Sequence, residues 1–159
     1  MKSLKEYMTT RKYVCVNYTK ESQNRLREWA QNNGFDLSIG FNGADQDPTD
    51  FNFHTTIFYS TNDVYLRNQE MSESETEVFV TGFDMFGDNK DIPVLILSYS
   101  GRLKDIREHF ERLGLEDKYP RYRPHISLSY VRERKDVSKM ELPDFRPKFD
   151  KIVIREIKD

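Results

Sequence analysis

The chain repeats itself once, loosely, and that repetition constrains its fold more than any other feature. Residues 13–18, YVCVNY, alternate as a short strand does, and Thr19 follows where a helix N-cap would stand. Leu26, Trp29 and Ala30 then recur at helical spacing until Gly34 offers a stop in the left-handed conformation. After the turn-rich NGADQDPTD comes FHTTIFYS, residues 53–60, whose aromatic and β-branched side chains predict a second strand. The same order returns downstream. IPVLILSY, residues 92–99, reads as a strand, Ser100 as an N-cap, and Leu103, Ile106, Phe110 and Leu113 as one helix face that Gly114 ends. A Pro-bounded segment then leads to HISLSY, residues 125–130. The junctions match too: VNYTKE against LSYSGR, and HTTIFYS against HISLSYV.

Two strand–helix–strand lobes, roughly 13–60 and 92–131, predict an α+β fold. Mainly antiparallel sheets would then meet pseudo-symmetrically about a central groove. Further strands are expected around Leu37, at 77–83 (EVFVTGF) and at 149–157 (FDKIVIREI), the last completing the sheet. The acidic, Ser-rich stretch 70–77 reads as a solvated loop. No linker divides the 159 residues, which suit one domain, 1–159.

Composition narrows the function classes. Nine Tyr and 11 Phe supply a core and argue against disorder. A net charge of −2 lacks the broad basic face that long nucleic acid requires, yet permits a local basic patch for a small anion. Cys15 is the only cysteine, so no intrachain disulfide forms and a reducing compartment fits. No stretch approaches the ~18–20 apolar residues of a membrane span. The first residues, MKSLKEYMTTRKY, carry no apolar signal core. Together these features predict a cytoplasmic protein without a membrane or an identifiable protein partner.

Side chains alternate along a strand, so His54 and Thr56 share one face, as do His125 and Ser127. The opposite faces suit packing against helices: Phe53, Thr55, Ile57 and Tyr59 in the first lobe, Ile126, Leu128 and Tyr130 in the second. A single histidine on a strand is ordinarily structural. Two at matching places in two similar halves are a site. A pseudo-dyad would gather both imidazoles and both hydroxyls around one point. One imidazole can then remove a proton while the other donates one, each worth ~10²–10⁴-fold. The hydroxyls would bind the oxygens of an anion held between them. Phosphodiester cleavage matches this set best. A metal would want a carboxylate or a third histidine, but Thr or Ser stands two places after each histidine and His109 falls on an outer helix flank. No metal or other cofactor is expected.

The paired HTT and HIS motifs resemble those of the two-histidine (2H) phosphoesterase superfamily. Within it, SLKEYM, YVCVNYTKES, FHTTIFYS, TGFDMFG, GLEDKYPRYRPHISLSY and LPDF resemble the bacteriophage anti-CBASS proteins. That resemblance covers nearly the whole chain. It implies cleavage of 3′,5′-linked cyclic di- and trinucleotides, such as 3′,3′-cyclic GMP-AMP, without a metal, by ribose 2′-OH attack. It also implies His54, Thr56, His125 and Ser127 as the catalytic set. Which histidine is the base stays open.

Base-contacting residues are less specified. Tyr13 faces the groove if Val14 and Val16 are core, and could stack on a base or serve as an ordinary strand tyrosine. Tyr122, just before Pro124 and His125, is a second stacking candidate. Glu156 could accept hydrogen bonds from a base edge or be a surface carboxylate. Lys118, Arg121 and Arg123 put positive charge upstream of His125, and residues 131–148 are a candidate cover for the groove. Two rivals remain: a superfamily member acting on RNA ends or 2′,3′-cyclic phosphates, and a sponge that binds cyclic nucleotides without cutting them.

Overall fold

In a computed structural model of the chain, residues 9–119 and 121–157 are described; the KEYM segment quoted above lies outside them. In chain order the elements are β1 (Thr9–Thr10), β2 (Lys12–Tyr18), α1 (Lys20–Asn32), a 3-10 turn (Pro48–Asp50), β3 (His54–Tyr59), β4 (Val64–Tyr65), β5 (Gln69–Glu77), β6 (Val80–Phe86), β7 (Ile92–Leu97), α2 (Gly101–Arg112), β8 (His125–Ser127) and β9 (Lys148–Glu156). The protein is α+β. One antiparallel sheet has the order β3-β2-β9-β5 and a second the order β6-β7-β8, while β1 and β4 form a short ribbon. The C-terminal strand β9 thus lies inside the larger sheet, between β2 and β5.

Local chemistry explains both helices. Thr19 Oγ1 accepts the Ser22 amide at 3.1 Å, the N-cap bond expected of it, and Gly34 adopts φ +79 just past the helix end. Leu26 and Ala30 are buried, and Trp29 stacks against Phe35 and Phe83 with centroids 5.9 and 6.0 Å away. Ser100 caps α2 by position only, since its side chain makes no bond to the helix. Leu103, Ile106 and Phe110 form the expected buried stripe, but α2 stops at Arg112 and leaves Leu113 48% exposed. One apolar cluster joins Val14, Val16 and Tyr18 of β2, Ile57 and Phe58 of β3, Leu95 and Leu97 of β7, Ile126 of β8 and Ile152 of β9. Each such fully buried aliphatic or aromatic side chain contributes about 1.5–3 kcal/mol.

Several expectations need correction. The acidic stretch 70–77 is no loop: it is β5, the edge strand paired with β9, and its half-buried and exposed residues largely alternate. Glu and Ser are poor strand formers, but charge on an edge strand discourages pairing with other chains. The strand expected at 77–83 begins three residues later, at Val80. Around Leu37 there is only an isolated bridge, Ile39 to Asp45, although Leu37 itself is buried. β7 ends at Leu97 rather than 99. Residues 131–147 form no strand or helix, and Val137, Met140 and Phe145 pack against the core.

The correction that matters most lies in β3. Val14 pairs with Phe58 and Cys15 with Thr56, so Ile57 is an extra, unpaired residue. This bulge sends both Ile57 and Phe58 into the core and turns Tyr59, expected among the core residues, toward the groove.

Candidate active site

β3 edges one sheet and β8 edges the other, yet the two histidine strands lie against each other. Side chains make the connection. Thr55 Oγ1 donates to the His125 carbonyl at 3.0 Å, and Tyr122 Oη donates to the Thr56 carbonyl at 2.8 Å. The HTT and HIS motifs are therefore neighbours in space.

Both histidines are anchored in the same way. His54 Nδ1 lies 3.2 Å from the Asn52 carbonyl, and His125 Nδ1 lies 2.8 Å from the Arg123 carbonyl. A carbonyl only accepts, so each neutral ring carries its proton on Nδ1 and leaves the Nε2 lone pair available. Tyr13 meets His54 edge-on at 6.2 Å, and Phe86 meets His125 at 4.5 Å. Burial pushes both imidazoles below their ordinary pKa, against the opposing pull of these carbonyl bonds. His125 is lowered further by the charges of His54 and Arg123, so its protonation responds to that of His54. Both rings are neutral near pH 7 in the free protein.

A tyrosine stands beside each motif hydroxyl. Thr56 Oγ1 shares a hydrogen bond with Tyr13 Oη at 3.1 Å, and the Ser127 side chain lies near the Tyr130 phenol. Burial raises the pKa of both phenols, so they stay protonated. Cys15, paired with Thr56 across the β2–β3 ladder, is pushed up to about 11 by burial and stays a thiol. Beside His54 opens a cavity of about 660 Å³, whose wall includes Tyr13, Asn17, Tyr59, Tyr130 and Glu156. Phe41, 75% exposed, stands at its edge against Tyr130, with centroids 5.6 Å apart.

The model of the family described as anti-CBASS protein Acb1 matches residues 10–158. The chain belongs to the anti-CBASS protein Acb1 family. Membership points to counteraction of CBASS immunity. No curated protein matches the chain.

In this Acb1-family chain, His54, Tyr13 and Glu156 line the cavity, Glu156 paired across the sheet with Lys12 of β2, while Thr56, His125 and Ser127 lie outside its wall, on the strands that Thr55 ties together. Tyr122 is placed differently. Its hydroxyl is committed to the Thr56 carbonyl and one ring face to the Arg107 guanidinium, 4.1 Å away. Arg123 pairs with Asp84 at 2.7 Å, and Lys118 sits over Tyr59 at 5.5 Å. His109 is exposed on α2. Among the described residues no three His, Cys, Asp or Glu side chains cluster as metal ligands would, and none of their helices is long and apolar enough to cross a membrane.

Sequence reasoning missed Tyr59 and Tyr130, which line the cavity, and Phe86, which packs on His125. A signal for the tyrosines existed, because each stands at the same offset after its histidine in the two matching strings. Simple alternation assigned both to the core. The Ile57 bulge redirects Tyr59, and the end of β8 at Ser127 frees Tyr130 to reach the groove while packing on Phe51.

Proposed function

We propose that the chain is a metal-independent phosphodiesterase that cleaves 3′,5′-linked cyclic di- and trinucleotide messengers, such as 3′,3′-cyclic GMP-AMP. It would act in the host cytoplasm and let a phage evade CBASS immunity. The observation that carries the reading is the pair of neutral, identically tethered imidazoles, each with a hydroxyl two residues on. Membership of the anti-CBASS family supports the substrate class. A 2H phosphoesterase relationship, with the β2–α1–β3 and β7–α2–β8 lobes set about a pseudo-dyad, accounts for the repetition.

In this mechanism one Nε2 removes the proton of a ribose 2′-OH, whose oxygen attacks the adjacent phosphorus. The other histidine, protonated, gives its proton to the departing 5′-oxygen. A 2′,3′-cyclic phosphate forms, and water opens it with the two roles reversed to leave a 3′-phosphate. Thr56 and Ser127 donate to the non-bridging oxygens, with Tyr13 holding the Thr56 hydroxyl in orientation. The negative phosphodiester supplies what the free site lacks, a reason for one imidazole to hold a second proton. Tyr13 and Glu156 are the base-contacting candidates that line the cavity, and Tyr122 acts through the backbone it holds.

The test is mass spectrometry of 3′,3′-cyclic GMP-AMP incubated with the protein in excess EDTA. A linear product ending in a 2′,3′-cyclic or 3′-phosphate is expected. Preferential cleavage of linear RNA would move the reading to RNA ends, and intact bound substrate would make the protein a sponge. A substrate with 2′-deoxyribose at the cleaved linkage should resist cleavage entirely; its hydrolysis would demand water as the nucleophile.

A further inference from the structure

The two histidines belong to edge strands of different sheets, so no β-ladder fixes their separation. Something else must, because a proton relay across a phosphodiester tolerates little error in that distance. We propose that Thr55 and Tyr122 are positioning residues that set the spacing of His54 and His125, an inference that rests on the phosphodiesterase reading of the groove.

The ties run in both directions. Thr55, between the two groove-facing residues of β3, points the other way and is 0% exposed. Its single hydroxyl proton goes to the carbonyl of His125 itself, at 3.0 Å. Tyr18 Oη must therefore donate to Thr55 Oγ1, at 2.6 Å, and burial keeps that phenol protonated. The result is a relay from β2 through β3 to the backbone of the second catalytic residue. In return Tyr122, three residues before His125, donates to the carbonyl of Thr56 at 2.8 Å. Its ring is held against Arg107, whose guanidinium also covers the Phe58 ring at 3.9 Å and donates to the carbonyl of the bulged Ile57 at 2.6 Å.

Packing alone does not ask for this arrangement. Valine would fill the Thr55 position with the same shape, and a buried hydroxyl is unfavourable unless it is bonded. Here the bond it makes ends on the backbone of a histidine in the other sheet. The bulge matters for the same reason: the carbonyls of Thr56 and Ile57, at the break in the ladder, are the ones that Tyr122 and Arg107 take up.

The experiment compares Thr55→Val, Thr55→Ser and Tyr122→Phe with the wild-type protein. Each is checked for folding by circular dichroism, then assayed on 3′,3′-cyclic GMP-AMP. In parallel, the imidazole C2 protons of the three histidines are followed by NMR, with exposed His109 as the internal reference. Thr55→Val should lower kcat roughly ten- to a hundred-fold while KM stays within about two-fold. Thr55→Ser should restore kcat, and Tyr122→Phe should fall in the same direction as Thr55→Val. The His125 resonance should move in both impaired variants while that of His109 stays fixed. A folded Thr55→Val protein with wild-type kcat and an unmoved His125 resonance would overturn the proposal. So would a Thr55→Ser variant as impaired as the valine, because that would make the effect one of packing. If Thr55→Val does not fold, Tyr122→Phe, which keeps its ring against Arg107, decides the matter. Failure of the wild-type protein to cut the substrate would refute the phosphodiesterase reading, and the NMR shifts would still judge the ties.

Discussion

Replacing either motif histidine with alanine should cut turnover by orders of magnitude and leave measurable binding. General acid or base catalysis by one positioned imidazole is worth ~10²–10⁴-fold. At about 1.36 kcal/mol per factor of ten, that is roughly 2.7–5.5 kcal/mol of barrier. The structure says what else changes. Burial keeps both rings neutral near pH 7, so neither substitution removes a positive charge from the free protein. Substrate affinity should therefore fall only by what the proton taken up on binding contributes, so binding stays measurable. Stability should shift little. The bonds lost, to the exposed carbonyls of Asn52 and Arg123, are worth at most about 0.5–1.5 kcal/mol each and are partly replaced by water. Because acid and base act as a unit, the double variant should be scarcely slower than the slower single one. The assay is single-turnover cleavage of 3′,3′-cyclic GMP-AMP followed by mass spectrometry, with calorimetric titration for affinity. Retention by His54→Ala or His125→Ala of more than about a tenth of the wild-type rate would refute the acid–base assignment.

The lowered histidine pKa values also set two pH dependences. The optimum of kcat/KM, which reports the free protein, should lie on the acid side of 6.5, with kcat holding to higher pH because bound phosphodiester favours the protonated acid. An optimum of kcat/KM well above 7 would contradict this. For stability, both folded pKa values lie below the ordinary 6.5, so the unfolded chain binds more protons in that interval. The contribution is fully present above 6.5 and is lost as pH falls toward the folded values. The melting temperature should drop on acidification through this window, and by less in the double alanine variant. Arg107→Met should cost about 3–5 kcal/mol in urea unfolding, because it leaves Asp117, its 2.5 Å partner, buried without a counter-charge. A cost under about 1 kcal/mol would show that Asp117 finds water or another donor.

Much of the fold was legible because its signals are local. The Thr19 cap, the Leu26–Ala30 stripe and the glycine stops at 34 and 114 act within one or two turns of chain. The repeated His-x-Thr/Ser strings likewise put the four motif side chains on half-buried strand positions, alternating with the buried Thr55 and Ile126. The acidic edge strand β5 misled for a physical reason: its pairing with β9 comes from backbone bonds across the chain, which Glu and Ser composition does not announce. Tyr122 illustrates the same limit at the site. Nothing near it in sequence reveals that its hydroxyl would be spent on the Thr56 carbonyl, or its ring on Arg107 from α2.

The sequence by itself determined the two strand–helix–strand units, their helix caps and stops, and the placing of both histidines on strands. Alternation, capping and composition require no knowledge of distant contacts. Tertiary structure decided the rest. It placed an unpaired Ile57 in β3 and so turned Tyr59 into the cavity wall, matched Tyr13 to the Thr56 hydroxyl, and tied two sheets together through Thr55 and Tyr122. Each of these depends on which partner strand or side chain arrives from far along the chain, and no local pattern carries that information.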